Sequence, residues 1–168
     1  TRSDVEPRYL GILREIQGHQ ATLLERVAKN QAENFDRSLP SELFDSVAIA
    51  DPATLRSDLE EWYSDFGNWS VENVAARVRS LLDRPGCAII DIIIFFESGV
   101  HSTKKTDKSF SNRRNSLDFE ILGSLGLIVR HFEIFKKPRA PEVHVAYYRM
   151  TELGVHFYLA CNNIDPEP

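Results

Sequence analysis

Residues 116 to 163 constrain this chain more than any other stretch, because three different periodicities follow one another there with clear stops between them. Leu117, Ile121, Leu122 and Leu125 fall along one side of a 3.6-residue repeat, which predicts a short helix over 116 to 125. Gly126 can take the left-handed conformation that closes a helix. Two strand-like runs follow, 127 to 135 and 142 to 149, joined by Lys136-Lys137-Pro138-Arg139-Ala140-Pro141. Two prolines in so short a joint remove backbone donors, so this is the tip of a long hairpin and not a continuing strand. Thr151 then suits an N-cap, and Leu153, Phe157 and Cys161 recur at four-residue intervals, predicting a closing helix.

The rest of the chain reads as mainly helical. Tyr9, Leu13, Ile16, Leu23 and Val27 recur at four-three spacing and predict one long helix over 4 to 35, interrupted in propensity by Gly11 and Gly18. A stripe this narrow suits pairing with another helix, so these five are the candidate dimerisation residues; the alternative is a helix laid on its own domain. Leu43, Phe44, Val47 and Ala48 predict a short helix at 41 to 49. Asp51-Pro52 is a cap followed by a proline at the first helical position, and Leu55, Leu59, Trp62, Tyr63 and Phe66 form the apolar side of the helix it starts. Ser70 caps another, with Val71, Val74, Val78, Leu81 and Leu82 inward, and Asp83-Arg84-Pro85-Gly86 ends it. The isoleucine-rich run 87 to 96 favours a strand by propensity. Asp91 inside a central strand would need a partner for its charge, so the expectation is a buried helix with Asp91 on its exposed side. Residues 99 to 115 are polar, with Phe110 their one large apolar side chain. The organisation expected is an N-terminal helical region over 1 to 50 and a helical and α+β domain over 51 to 168.

Several classes of chemistry find little support. The five histidines lie without helical ligand spacing or cysteine partners, and no glycine-rich phosphate loop or nucleophile elbow occurs. No metal site, cofactor or catalytic residue is therefore expected. Cys87 and Cys161 read as free thiols of a reducing cytoplasm, with a single disulfide as the alternative. No apolar run reaches the roughly 18 residues a membrane span needs, and the charged residues after Thr1 do not read as a signal peptide. Net charge is −5, yet between His101 and Arg139 nine basic residues face four acidic ones, a local balance of +5 that leaves −10 for the remainder. A positive face on an acidic body attracts polyanions while the body resists non-specific association.

The order of helix, Leu-Gly-Leu-Ile, hairpin and closing Thr-Glu-Leu-Gly-x-x-Phe-x-x-x-Cys helix resembles the winged-helix family. Within it, 117 to 128 and 148 to 161 are most similar to the C-terminal part of the abortive-infection alpha (Abi-alpha) proteins. The resemblance implies a winged helix-turn-helix-like C-terminal domain of mainly α (α+β) class, with the helix expected over 87 to 96 as the first helix of its core. It also implies a wing tip, here Lys136, Lys137 and Arg139, that meets the phosphate backbone, and a recognition helix entered through Arg113, Arg114, Asn115 and Ser116. Lys104, Lys105 and Lys108 extend that basic surface. Two features depart from the pattern: a second helix before the recognition helix is hard to find in 99 to 115, and Asp118 and Glu120 would face phosphates unfavourably unless Glu120 accepts from a cytosine amino group.

The expectation is a cytoplasmic, non-enzymatic winged-helix protein that binds DNA, dimeric through its N-terminal helix, acting as a transcriptional or anti-phage defence factor. The alternative is a protein-protein interaction module of a bacterial abortive-infection system that binds no DNA, its working surface the acidic helical half.

Overall fold

In the computed structural model, which describes residues 7–31, 39–65, 70–96, 101–103, 110–138 and 140–162, the run at 87 is a strand and not a helix. β1 (Cys87–Phe95) lies inside an antiparallel sheet of order β2-β1-β4-β3, with β2 (His101–Thr103), β3 (Ile128–Phe135) and β4 (Glu142–Met150). The β-branched run fits a pleated surface covered on both sides. The charge that argued for a helix is handled by a bulge: the pairing of β1 with β4 shifts between Ile89 and Asp91, and Asp91 comes to a half-buried position opposite Ala146. Its Oδ1 atom is nevertheless shielded and, among the described residues, without a hydrogen-bond partner.

Helices sandwich the sheet. On one face, Ile89, Ile92 and Ile94 of β1, Val143, Val145 and Tyr147 of β4 and Phe135 of β3 meet α4 (Pro52–Asp65) and α5 (Val71–Leu82) through Leu55, Leu59, Tyr63, Val74, Val78 and Leu82. On the other, Ala88, Ile128 and Met150 meet α2 (Gly18–Ala28), α6 (Arg113–Ser124) and α7 (Glu152–Cys161). α1 (Pro7–Glu15) and α3 (Leu39–Ile49) complete that layer through Ile12, Leu43 and Val47. Buried residues from both sides of position 50 thus share one apolar cluster. Each fully buried side chain of this size contributes on the order of 2 kcal/mol.

Local signals set most of the helix ends. Ser70 accepts from the Asn73 N–H at 3.1 Å, Asp51 from Ala53 at 3.2 Å, and Thr151 from Gly154 at 2.9 Å. The Thr151 hydroxyl also donates to the Gly126 carbonyl at 2.6 Å, tying the end of the turn after α6, where Gly126 has φ +80°, to the start of α7. Gly154 rests its backbone on that same turn, and a Cβ there would drive into the Leu127 carbonyl.

The helix expected over 4 to 35 is two helices among the described residues. The chain opens at Gln17, which is extended, and its N–H donates to the Gln20 side chain at 2.9 Å to begin α2. The break aims α2 inward, so Leu23 and Val27 are buried in the protein's own core together with Leu24 and Ala28. Tyr9 sits edge-on to Phe157 with centroids 5.8 Å apart, and Ile16 packs against the same cluster. Of the five expected dimerisation residues Leu13 alone is exposed, at 48%, and Leu10 beside it equally so. Leu23 and Val27 are thus used on the protein's own core, and Tyr9 and Ile16 pack against it.

Candidate nucleic-acid interface

Helix α6 begins three residues earlier than the leucine spacing predicts, because Asn112 takes the cap and accepts from the Asn115 N–H at 2.8 Å. The earlier start changes which residues lie inside. Asn115, Asp118, Phe119 and Leu122 are buried, whereas Leu117 is 59% exposed and Ile121 half-buried. Phe119 decides the orientation: its ring stacks on Tyr148 of β4 at 4.3 Å with the planes 8° apart. Asp118, expected to repel phosphate, is turned inward at 2% exposure, with its Oδ1 3.1 Å from His19 Nε2. Asn115, expected as a contact residue, is corrected to an interior one, since the cap places it on the packed side of the first turn.

What α6 offers outward is Arg113, Arg114, Ser116, Leu117 and Glu120. Beside its start lies a cleft of about 540 Å³, bounded by α6, by Phe110, and by Ile90, Arg130 and Tyr148 of the sheet. Arg130 and Tyr148 are cross-strand partners, which brings a cation and an aromatic ring side by side. Partial burial raises the Tyr148 hydroxyl above its usual pKa; nearby Arg130 opposes that shift and Glu120 reinforces it. The ring is therefore a neutral hydrogen-bond donor at physiological pH. Among the described residues, no hydrogen bond or ion pair engages Arg113, Arg114 or Arg130.

The hairpin tip is arranged otherwise. Lys136 Nζ lies 3.2 Å from Glu142 Oε1, and His144 Nε2 is 3.1 Å from the other oxygen of that carboxylate. The hydrogen bond to His144 first, and then that to Lys136, hold the Glu142 carboxyl below its ordinary pKa. Lys137 Nζ donates to the Ser64 carbonyl near the end of α4 at 3.2 Å. Both lysines remain exposed, but each is engaged with the protein itself. Lys104, Lys105, Lys108 and Arg139 lie outside the described residues.

Arg113 and Arg114 stand out in the sequence, whereas Arg130, Tyr148 and Phe110 come together only in the fold. Hairpin register was the available signal: pairing 128 with 150 places Arg130 opposite Tyr148. Phe110, alone among polar neighbours, is buried against Phe119 at 6.3 Å, with the Arg26 guanidinium 5.1 Å from its centroid.

Among the described residues no group of three or more His, Cys, Asp or Glu side chains is disposed to hold a metal ion, and no helix is long and apolar enough to cross a membrane. Cys87 and Cys161 are separate free thiols; burial pushes Cys87 up to about 12, which leaves it protonated and unreactive. No protein-family model, curated protein or solved structure matches the chain.

Proposed function

We propose that this is a non-enzymatic winged-helix protein that binds nucleic acid through the outer side of α6 and the adjoining part of β3. The observation that carries the reading is the presence of Arg113, Arg114 and Arg130, three arginines that make no hydrogen bond or ion pair among the described residues, on one helix and the strand beside it. Arginine that is not internally paired keeps its donors for phosphate oxygens. The closing succession of α6, the β3–β4 hairpin and α7 supports the winged-helix assignment, with strands β1 and β2 standing before α6 where a core helix was expected, and Asp118 is turned away from the outer side of α6. The weight of the site moves from the hairpin tip to the start of α6. Its action inside a cell, as a DNA-binding factor of anti-phage defence, rests on the resemblance to the Abi-alpha proteins.

The test is fluorescence anisotropy with a labelled duplex across a salt series. Affinity should fall steeply with salt, and the slope of log K against log salt should lessen by about 0.9 for each arginine that contacts a phosphate when it is changed to Ala. Affinity indifferent to salt, or to Arg113, Arg114 and Arg130 changed together, overturns the reading.

A second reading has its own observation. Phe132 is 53% and Ile134 42% exposed on β3, an edge strand of the sheet, and large apolar side chains in that position favour association with another protein. Recovery of one specific protein partner, with no retardation of nucleic acid at low salt, selects it.

A further inference from the structure

A helix that reads a duplex groove needs a convex surface, yet the start of α6 borders a recess. At about 540 Å³ its volume is within the range of small-molecule sites, which run from roughly 300 to 1,000 Å³. Its walls carry three kinds of group. The first is aromatic: Tyr148 and Phe119 both line the recess, two nearly parallel rings stacked 4.3 Å apart, with Tyr148 the more exposed of the two. The second is a pair of arginines from different elements, Arg113 on α6 and Arg130 on β3, neither hydrogen-bonded nor ion-paired among the described residues. The third is one carboxylate, Glu120 of α6, which also lines the recess.

We propose that this cleft binds a single unstacked nucleotide. Its base lies on Tyr148, its phosphate meets Arg113 and Arg130, and an exocyclic amino group of the base donates to Glu120. The combination selects this chemistry over its competitors. A purely apolar ligand would leave two guanidiniums and a carboxylate desolvated without partners. A bare phosphate would make no use of the aromatic wall and would be repelled by Glu120. An aromatic base stacks on a ring of this kind whatever its identity, while the carboxylate distinguishes adenine, cytosine and guanine, which carry an amino group, from uracil and thymine, which do not. The same unit can arrive as a free nucleoside monophosphate or as one residue of a single strand. The polymer arm rests on the nucleic-acid reading above; the mononucleotide arm does not.

The experiment compares three ligands with the whole chain at one salt concentration: AMP or CMP against UMP by calorimetric titration, a mixed-sequence single-stranded oligonucleotide, and the corresponding duplex by anisotropy. The inference expects AMP and CMP to bind better than UMP, with the single strand preferred to the duplex and displaced by AMP. Tyr148→Leu should weaken single-strand and mononucleotide binding about tenfold. Because Tyr148 packs on the core, Arg130→Gln and Glu120→Ala provide the exposed variants: the first should weaken every mononucleotide, the second should abolish the preference for AMP and CMP over UMP. Duplex binding without mononucleotide binding and without preference for the single strand overturns the inference and leaves the nucleic-acid reading standing. Mononucleotide binding with no affinity for either polymer supports the cleft and overturns that reading. Indifference of all three ligands to Arg130→Gln and Glu120→Ala overturns the inference.

Discussion

The start of α6 and the tip of the β3–β4 hairpin are both basic in sequence, but they spend their charge differently. At the tip, Lys136 is held by Glu142 and Lys137 by the Ser64 carbonyl, so a polyanion arriving there must compete with bonds already made. Around α6, the acid nearest Arg113 and Arg114 in sequence is withdrawn, since Asp118 points into the core toward His19; Glu120 stays exposed beside the cleft, but among the described residues it makes no ion pair with Arg113, Arg114 or Arg130, which keep their donors. Local charge counts treat these regions alike, because a count does not record which cations already have partners. What a ligand experiences is the charge remaining after internal pairing.

The sharpest way to break this comparison is to remove each set in turn. Changing Arg113, Arg114 and Arg130 together to Ala should lower affinity for nucleic acid about a hundredfold at low salt, whereas Lys136 and Lys137 together should cost less than about tenfold, both read by anisotropy. Equal losses would show that internal pairing does not silence the tip. Next in size is the joint that fixes the hairpin relative to α6. Gly154→Ala forces a methyl group against the Leu127 carbonyl, and should destabilise the protein by about 1–3 kcal/mol in denaturant titration. Unchanged stability would mean that the packing of α7 on the turn after α6 yields at no cost.

His19→Ala examines the withdrawn acid. It removes the His19 ring that lies 3.1 Å from the buried Asp118 carboxylate, and should cost on the order of 1–2 kcal/mol in the same titration. The smallest effect belongs to Glu142. Its carboxyl sits below the ordinary 4.5, so the stabilisation it contributes is present above that pH and is lost as pH falls through the lower folded value. An NMR titration of the Glu142 carboxyl should give a midpoint below 4.5, and thermal stability should not respond to Glu142 between about pH 7 and pH 5. Glu142→Gln frees Lys136 at neutral pH and should raise affinity for nucleic acid about twofold, making the tip more like α6.

Much of the element order was legible. Ser70, Asp51 and Thr151 cap the helices they were expected to cap, and the two-proline joint does separate two strands. These signals are local: a side-chain oxygen reaches an N–H two or three residues away, and a proline lacks a donor wherever it stands. The failures share the opposite property. The run at 87 to 96 was expected to be helical because of Asp91, and only a bulge against a strand more than fifty residues later accommodates that residue. Leu117 was expected inside α6 and Phe119 was passed over, because the stacking that fixes the helix's rotation involves Tyr148 on another element.

The amino-acid sequence by itself therefore determined the helix caps, the hairpin, the absence of long apolar runs and the concentration of positive charge between 101 and 139, all properties of neighbours along the chain. Tertiary structure alone decided that β1 is a strand, that Leu23 and Val27 serve the protein's own core, and that Arg113 and Arg130 share a cleft with Tyr148. Pairing partners, helix rotation and the fate of each charge depend on distances between residues far apart in the chain, which no local periodicity encodes.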